Sequence, residues 1–308
     1  MEPSDSPVLV TGASGYVGGR LVDALLEQGT PVRAMARTPE RLSHLRQRGV
    51  EVVPGDAMDR SSLRQALRGV SAAYYLIHSM GARGSERTFA ETDRYAAQNF
   101  ALEGRHLERI IYLGGLGRPE DELSPHLRSR LEVGEILQNG PAPGTVLRAS
   151  IVIGAGSASW IMLLSLVRRL PVMVTPRWVD TRSQPIAVSD VLAYLLAARD
   201  NPQTARQSYD IGGPDVLTYR EMMERTAALL GKRPLIVGVP VLTPQLSAYW
   251  VDLVTPVPAS IARPLIEGLR NEAIVHDDAA RRAMPVPLTP FNQAVEEALR
   301  LGTRTQTG

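Results

Sequence analysis

The first half of the chain repeats one rhythm: a short apolar, β-branched run, a turn, then a stretch whose apolar residues recur three and four apart. Runs at residues 7–11, 32–36, 50–54, 72–77, 109–113 and 145–151 read as strands. The stretches near 16–28, 39–48, 61–68, 86–103 and 125–138 read as helices. Strands that are apolar without alternation are buried on both faces, as in a parallel sheet assembled from βαβ units. The pattern predicts an α/β fold, a Rossmann-type doubly wound parallel sheet.

After about residue 150 the rhythm loosens. Prolines at Pro234, Pro240, Pro244, Pro256, Pro258 and Pro264 leave room only for short helices. The expected organisation is a nucleotide-binding domain over residues 1–155 and a smaller substrate-side lobe over 156–308. Segments near 183–199 and 207–230 are expected to pack back on the sheet, which makes the lobe partly interleaved. Within these segments, Ser189 and Thr218 stand where helix caps belong. The uncharged stretch 149–167 is not a membrane span, because only SWIMLLSLV in it is continuously apolar. It reads as a strand, a loop and a buried helix.

With 44% hydrophobic and 21% charged residues the chain has the composition of an ordinary globular protein. The formal charge is only +2, and the charges are interspersed, so no direct nucleic-acid footprint is expected. Of 34 basic residues a single one, Lys232, is lysine. There is no cysteine, which excludes disulfides and thiolate chemistry, and the five histidines are scattered, which argues against a metal cluster. The start, MEPSDSPVLV, lacks the basic and apolar regions of a secretory signal, so a cytoplasmic location is the default expectation.

Directly after the first strand comes TGASGYVGG, with Gly12, Gly15 and Gly18 opening a helix. Glycine is needed there for a tight turn, for close approach of a pyrophosphate and for helix against strand, while the helix N-terminus offers N–H groups to the anion. Ser14, Tyr16 and Val17 share the loop and are assigned to the same cofactor site. At the end of the second strand stands Ala36–Arg37, where an NAD-binding chain would place an acidic residue against a ribose hydroxyl. Arg37 suits a 2′-phosphate, which favours NADP(H), and Arg33 and Arg41 are weaker candidates for that role. After the third strand, Asp56 and Ala57 are placed against the adenine, with a helix cap as the competing role for Asp56. Ile77, His78 and Ser79 end the fourth strand and point to the crevice where such sheets bind ligands. Trp160, Trp178, Met162 and Met173 read as core or pocket wall.

TGASGYVGG, VRAMAR, VVPGDAMD, AYYLIHSM, IIYLGGLG and SPHLRSR together resemble the atypical short-chain dehydrogenase/reductase superfamily, specifically its NmrA-like NAD(P)H-binding proteins. The likeness continues through PVMVTPRWV, QPIAVSDVLAYL, YDIGGPDVLTY and RPLIEGLRNE. Enzymes of that superfamily mostly use a Tyr-x-x-x-Lys pair on the helix after the fifth strand, and the resemblance places His126 and Arg130 at those positions. The usual serine is replaced by Gly114 and Gly115, and no tyrosine is followed four residues later by lysine.

Two readings follow, in different classes. In one the protein is a reductase of a small apolar carbonyl, quinone or conjugated alkene. There Arg130 bonds the nicotinamide ribose, His126 supplies the proton and His78 lines the site. In the other it binds NADP(H) without catalysis, as a redox sensor or regulatory protein. A nucleotide-sugar epimerase ranks third, since it would need the missing tyrosine and lysine.

Overall fold

The computed structural model describes residues 6–78, 88–118, 120–175, 177–238 and 256–304. Its centre is a seven-stranded, wholly parallel sheet in the order β11-β6-β5-β4-β1-β2-β3. The strands are β1 (Val8–Thr11), β2 (Val32–Ala36), β3 (Glu51–Pro54), β4 (Ala72–Tyr75), β5 (Arg109–Gly115), β6 (Gly144–Ala149) and, much later in the chain, β11 (Ser208–Ile211).

Alternation along β1 explains why an unbroken apolar run is required. Val8 and Val10 enter one core with α1 (Tyr16–Glu27) and α7 (Val188–Asp200). Leu9 enters the other, with α3 (Arg60–Ala66), α4 (Phe89–Glu103) and α5 (Pro125–Gln138). In that second core Tyr75 meets Phe100 edge-on, with ring centroids 5.0 Å apart. The order of strands reverses between β1 and β4, which opens a crevice at their carboxyl ends.

Several boundaries differ from expectation, each for a local reason. The run 145–151 stops at Ala149, and the chain resumes as β7 (Val152–Ile153), which leaves the sheet to pair with β10 (Ile186–Ala187). The 39–48 stretch divides into a 3-10 turn at Pro39–Leu42 and a short α2 (Ser43–Arg46). Helix α4 starts at Phe89 because Thr88 and Glu91 form a reciprocal capping box. Thr218 caps α8 (Tyr219–Leu229) in the same way with Glu221. Ser189 does not cap α7: the helix already begins at Val188, and the Ser189 hydroxyl donates to Asp190. Asp190 is in turn held by the Thr289 backbone N–H and hydroxyl, both at 2.7 Å.

The second lobe is built on α6 (Ala158–Arg169), β8 (Val172–Thr175), β9 (Arg182–Ser183), β12 (Leu217–Thr218), α8, β13 (Leu235–Gly238), α9 (Ala259–Gly268) and α11 (Phe291–Arg304), with α10 (Ala279–Ala283) beside the sheet. Its core gathers Trp160, Val167, Met173, Met222, Val295 and neighbours. Strand β11 extends the sheet beside β6, whereas α8 packs on α6 and α11 in the second core. The Trp178 side chain lies outside the described residues.

Candidate active site at the crevice

Thr11, fully buried, stitches the crevice together: its hydroxyl donates to the Tyr74 carbonyl and accepts from the Leu76 N–H, both at 3.0 Å. Gly12 then turns with φ +71°, and a side-chain carbon there would lie 2.5 Å from the Leu76 carbonyl oxygen. One at Gly18 would lie 2.2 Å from the Gly12 carbonyl oxygen. The Gly15 N–H closes the turn on that same oxygen at 2.8 Å. Ser14 and Gly15 are exposed, Tyr16 and Val17 half-buried. Helix α1 starts at Tyr16 with no side-chain cap and no acidic residue in its first turn. This cradle, lined by Gly12, Gly15 and Gly18 and opening a helix N-terminus, fits a pyrophosphate. The Tyr16 ring lies against Gly154 and Gly156, with the Arg20 guanidinium 5.2 Å above it, and its buried hydroxyl has no partner among the described residues.

At the adenine end Arg37 is exposed beside the end of β2. Arg33 is committed elsewhere: it bonds Glu51 at 2.7 Å and the carbonyls of Ala66 and Arg68 at 2.9 and 2.6 Å. Asp56 is not a helix cap. It receives the Met58 N–H at 2.9 Å in a local turn, and Asp59 caps α3 through the Ser61 N–H. Ala57 is buried, its carbonyl accepting from Asn99 at 3.1 Å.

At the other end of the crevice Ile77 is half-buried and His78 exposed; Ser79 falls outside the described residues. Across from them α5 begins at Pro125, capped by Ser124, whose hydroxyl accepts from the Leu127 N–H. His126 is 8% exposed, and its Nδ1 has no partner among the described residues. One turn on, Arg130 is buried and its Nη2 lies 3.4 Å from the Asp93 carboxylate, which also accepts from Ser129 at 3.3 Å. The Arg130 backbone carbonyl accepts from the Tyr112 hydroxyl. Burial, then the positive charge of the nearby Arg130 guanidinium and the neighbouring His78, push the His126 imidazole down to about 3. Partial desolvation by the residues around it, then Arg130, hold His78 below its usual value, with Asp93 opposing.

The structure thus brings His78, His126 and Arg130 into one electrostatic cluster and adds Asp93. The signal for Asp93 was a lone carboxylate in the buried stripe Asp93, Ala96, Ala97, Phe100 of α4. A side-chain carbon at Gly115 would sit 2.8 Å from Leu127 Cδ2, so a serine there would require the Leu127 side chain to turn aside. Lys232 is in the second lobe, its ammonium donating to the Arg168 carbonyl at 2.5 Å.

His126 also forms part of the wall of a cavity of about 420 Å³. Gly115, Leu127 and Ser150 close it on the sheet side, and apolar residues of α6, β8, α8 and α9, Met162 and Met173 among them, form the rest. Trp160 lies deep in the core behind it. Among the described residues there is no cluster of metal-ligating side chains and no helix long and apolar enough to cross a membrane.

A doubly wound sheet with a glycine cradle at its switch point defines a dinucleotide-binding protein. Residues 12–151 match the family described as NAD(P)H-binding. The chain is 33% identical over 231 residues to a (4-alkanoyl-5-oxo-2,5-dihydrofuran-3-yl)methyl phosphate reductase of Streptomyces griseus, covering 74% of this chain and 75% of that one. It is 26% identical over 294 residues to the mitochondrial NADH dehydrogenase [ubiquinone] 1 alpha subcomplex subunit 9 of Arabidopsis thaliana, covering 88% and 71%. Its fold matches the Citrobacter sp. triphenylmethane reductase complexed with NADP(H), with a TM-score of 0.74 at 21% identity over 94% and 99% of the two chains. The chain belongs to the NAD(P)H-binding, NmrA-like branch of the atypical short-chain dehydrogenase/reductase superfamily.

Proposed function

We propose that this protein is an NADPH-dependent reductase of a small apolar carbonyl, quinone or conjugated alkene. The observation that carries the proposal is the junction of an apolar cavity with a buried, electrically neutral histidine at the end of the sheet where the glycine cradle lies. The residues that would hold the cofactor are Gly12, Ser14, Gly15, Tyr16, Val17 and Gly18 at the pyrophosphate, Arg37 at the 2′-phosphate, Asp56 and Ala57 at the adenine, and Ile77 and His78 toward the nicotinamide. When bound, NADPH supplies the hydride.

The protein's own part is to exclude water, orient the acceptor and manage one proton. His126 is neutral at pH 7, so it acts through an imidazole N–H that bonds the substrate oxygen as negative charge gathers there. It does not act as an imidazolium acid, and the net proton comes from solvent. Arg130, fixed by Asp93, keeps a positive charge one helical turn away, which favours the same developing anion. The likeness to the Streptomyces griseus reductase supports this reading.

The second reading, NADP(H) binding without catalysis, draws on the missing Tyr-x-x-x-Lys pair and on the likeness to the Arabidopsis respiratory subunit. Titration of the protein with NADPH, followed by assay of NADPH oxidation against apolar ketones, enones and quinones, separates the two. Oxidation with at least one class is expected. Tight NADPH binding with no oxidation by any of them would leave the sensor.

A further inference from the structure

We propose that the face built by β8 and β13 docks on the anionic surface of a lipid bilayer and admits an apolar, membrane-dissolved substrate to the cavity that ends at His126; this rests on the reductase reading.

The two strands pair in parallel, with Leu235 beside Val172 and Val237 beside Val174. Because side chains alternate, all four project from one face, while Met173 between the valines turns into the lobe's core. The four are 61%, 52%, 40% and 59% exposed in that order, a compact apolar square left to solvent. Val172 and Val174 belong at once to this square and to the wall of the cavity that His126 also lines. An apolar path therefore runs from the protein surface to the candidate catalytic group.

Cations flank the N-terminal end of the square. Arg168 and Arg169 close α6 just before β8, and Lys232 and Arg233 precede β13; all four are exposed. Residues 158–175 and 226–238 carry these four charges and no carboxylate. Charges that look interspersed along the sequence are thus gathered by the β8–β13 pairing, and the single lysine of the chain is among them. At the far end of the strands Arg220 is neutralised by Asp180 at 2.7 Å. Apolar side chains that enter the acyl boundary, flanked by cations that meet lipid phosphates, are the chemistry of reversible bilayer attachment. The cations at the N-terminal end of both strands single out an anionic partner, which a bilayer surface supplies.

Flotation with vesicles tests the proposal. The protein should bind phosphatidylcholine vesicles containing phosphatidylglycerol at least about tenfold better than phosphatidylcholine alone, since each surface cation adds to attraction by the anionic layer. Raising salt from about 0.1 M to about 0.5 M should weaken that binding. Leu235→Asp with Val237→Asp should remove it by about tenfold or more, as charge is driven out of the acyl boundary. Replacing Arg168, Arg169, Lys232 and Arg233 with glutamine should do the same. NADPH affinity and the rate with a short water-soluble quinone should be unchanged in both variants, whereas the rate with a long-chain quinone held in anionic vesicles should fall. Absence of binding to anionic vesicles, equal binding to neutral ones, or a dimer seen by light scattering and broken by Leu235→Asp would overturn the proposal. Failure to oxidise NADPH with any ketone, enone or quinone, in solution or in vesicles, would instead overturn the reductase reading, so the two failures are told apart.

Discussion

Arg130 and Asp93 face each other at 3.4 Å across α5 and α4, with both side chains nearly closed to water. A buried pair of this kind is a poor source of net stability, yet breaking it leaves one charge stranded. Asp93→Ala is expected to destabilise the protein by about 3–5 kcal/mol, and the double change Asp93→Leu with Arg130→Met to restore most of that loss. Urea unfolding midpoints of the two variants measure it. A single variant as stable as the parent would show that the pair is not electrically coupled. Arg130→Ala is expected to weaken both NADPH binding and turnover, because the same guanidinium acts electrically on His78 and His126 at that end of the sheet.

His126→Ala is expected to lower turnover about a hundredfold while leaving NADPH affinity nearly unchanged. Since the imidazole stays neutral down to about pH 3, the rate should show no inflection from this residue across neutral pH. Steady-state rates from mildly acidic to mildly basic buffer provide the check. Normal turnover in the variant would make the histidine structural.

The same depression has a stability consequence whose sign is fixed. The unfolded chain binds a proton at His126 near pH 6.5, and the folded chain only near 3. Between those values the unfolded state holds more protons, so stability rises with pH and is lost as pH falls below 6.5. By about pH 5 this residue alone should cost about 2 kcal/mol relative to neutrality. His126→Phe should flatten that slope, and unfolding curves at the two pH values would expose an unchanged one.

NADPH is expected to bind at least about tenfold tighter than NADH, because a charge-assisted bond from Arg37 to the 2′-phosphate contributes about 1.5–3 kcal/mol. Arg37→Ala should erase most of the preference in a fluorescence titration. Equal affinities in the parent would remove the NADP assignment and leave the dinucleotide site intact.

Gly18→Ala should be costly, since the new carbon meets the Gly12 backbone oxygen at 2.2 Å and backbone has little room to yield. A melting-temperature drop equivalent to about 1–3 kcal/mol is expected, with NADPH affinity reduced more than tenfold. Gly19→Ala, whose nearest neighbour would be 3.3 Å away, serves as the milder control.

The sheet was legible because each central strand is buried on both faces, so its apolar run is continuous and needs no partner to be recognised. The glycine loop was legible because strand, turn and helix are contiguous. What escaped depends on residues far apart in sequence. Two-residue strands such as β7 and β10 have no periodicity to read. Arg33 looked free until β3 set Glu51 in register beside it. Asp56 and Asp59 offer the same carboxylate three residues apart, and only the path of the chain decides which meets the first turn of α3. His126 sits near a helix start, which reads as exposed, but α9 returns more than a hundred residues later to pack on α5, with Gly268 brought beside Leu127.

The last strand to join the sheet, β11, is also the last of the seven to leave the ribosome. Until residues 208–211 are made, the outer edge of β6 has no neighbour. Arg109 ties the late segment down by donating to Thr145 at 3.3 Å, to the Ala198 carbonyl at 3.2 Å and to Thr204 at 2.7 Å. During synthesis, a nascent chain that already carries its whole glycine loop still lacks the parts that close the sheet around it. The interval before β11 arrives is when an unprotected β6 edge is most open to pairing with another chain.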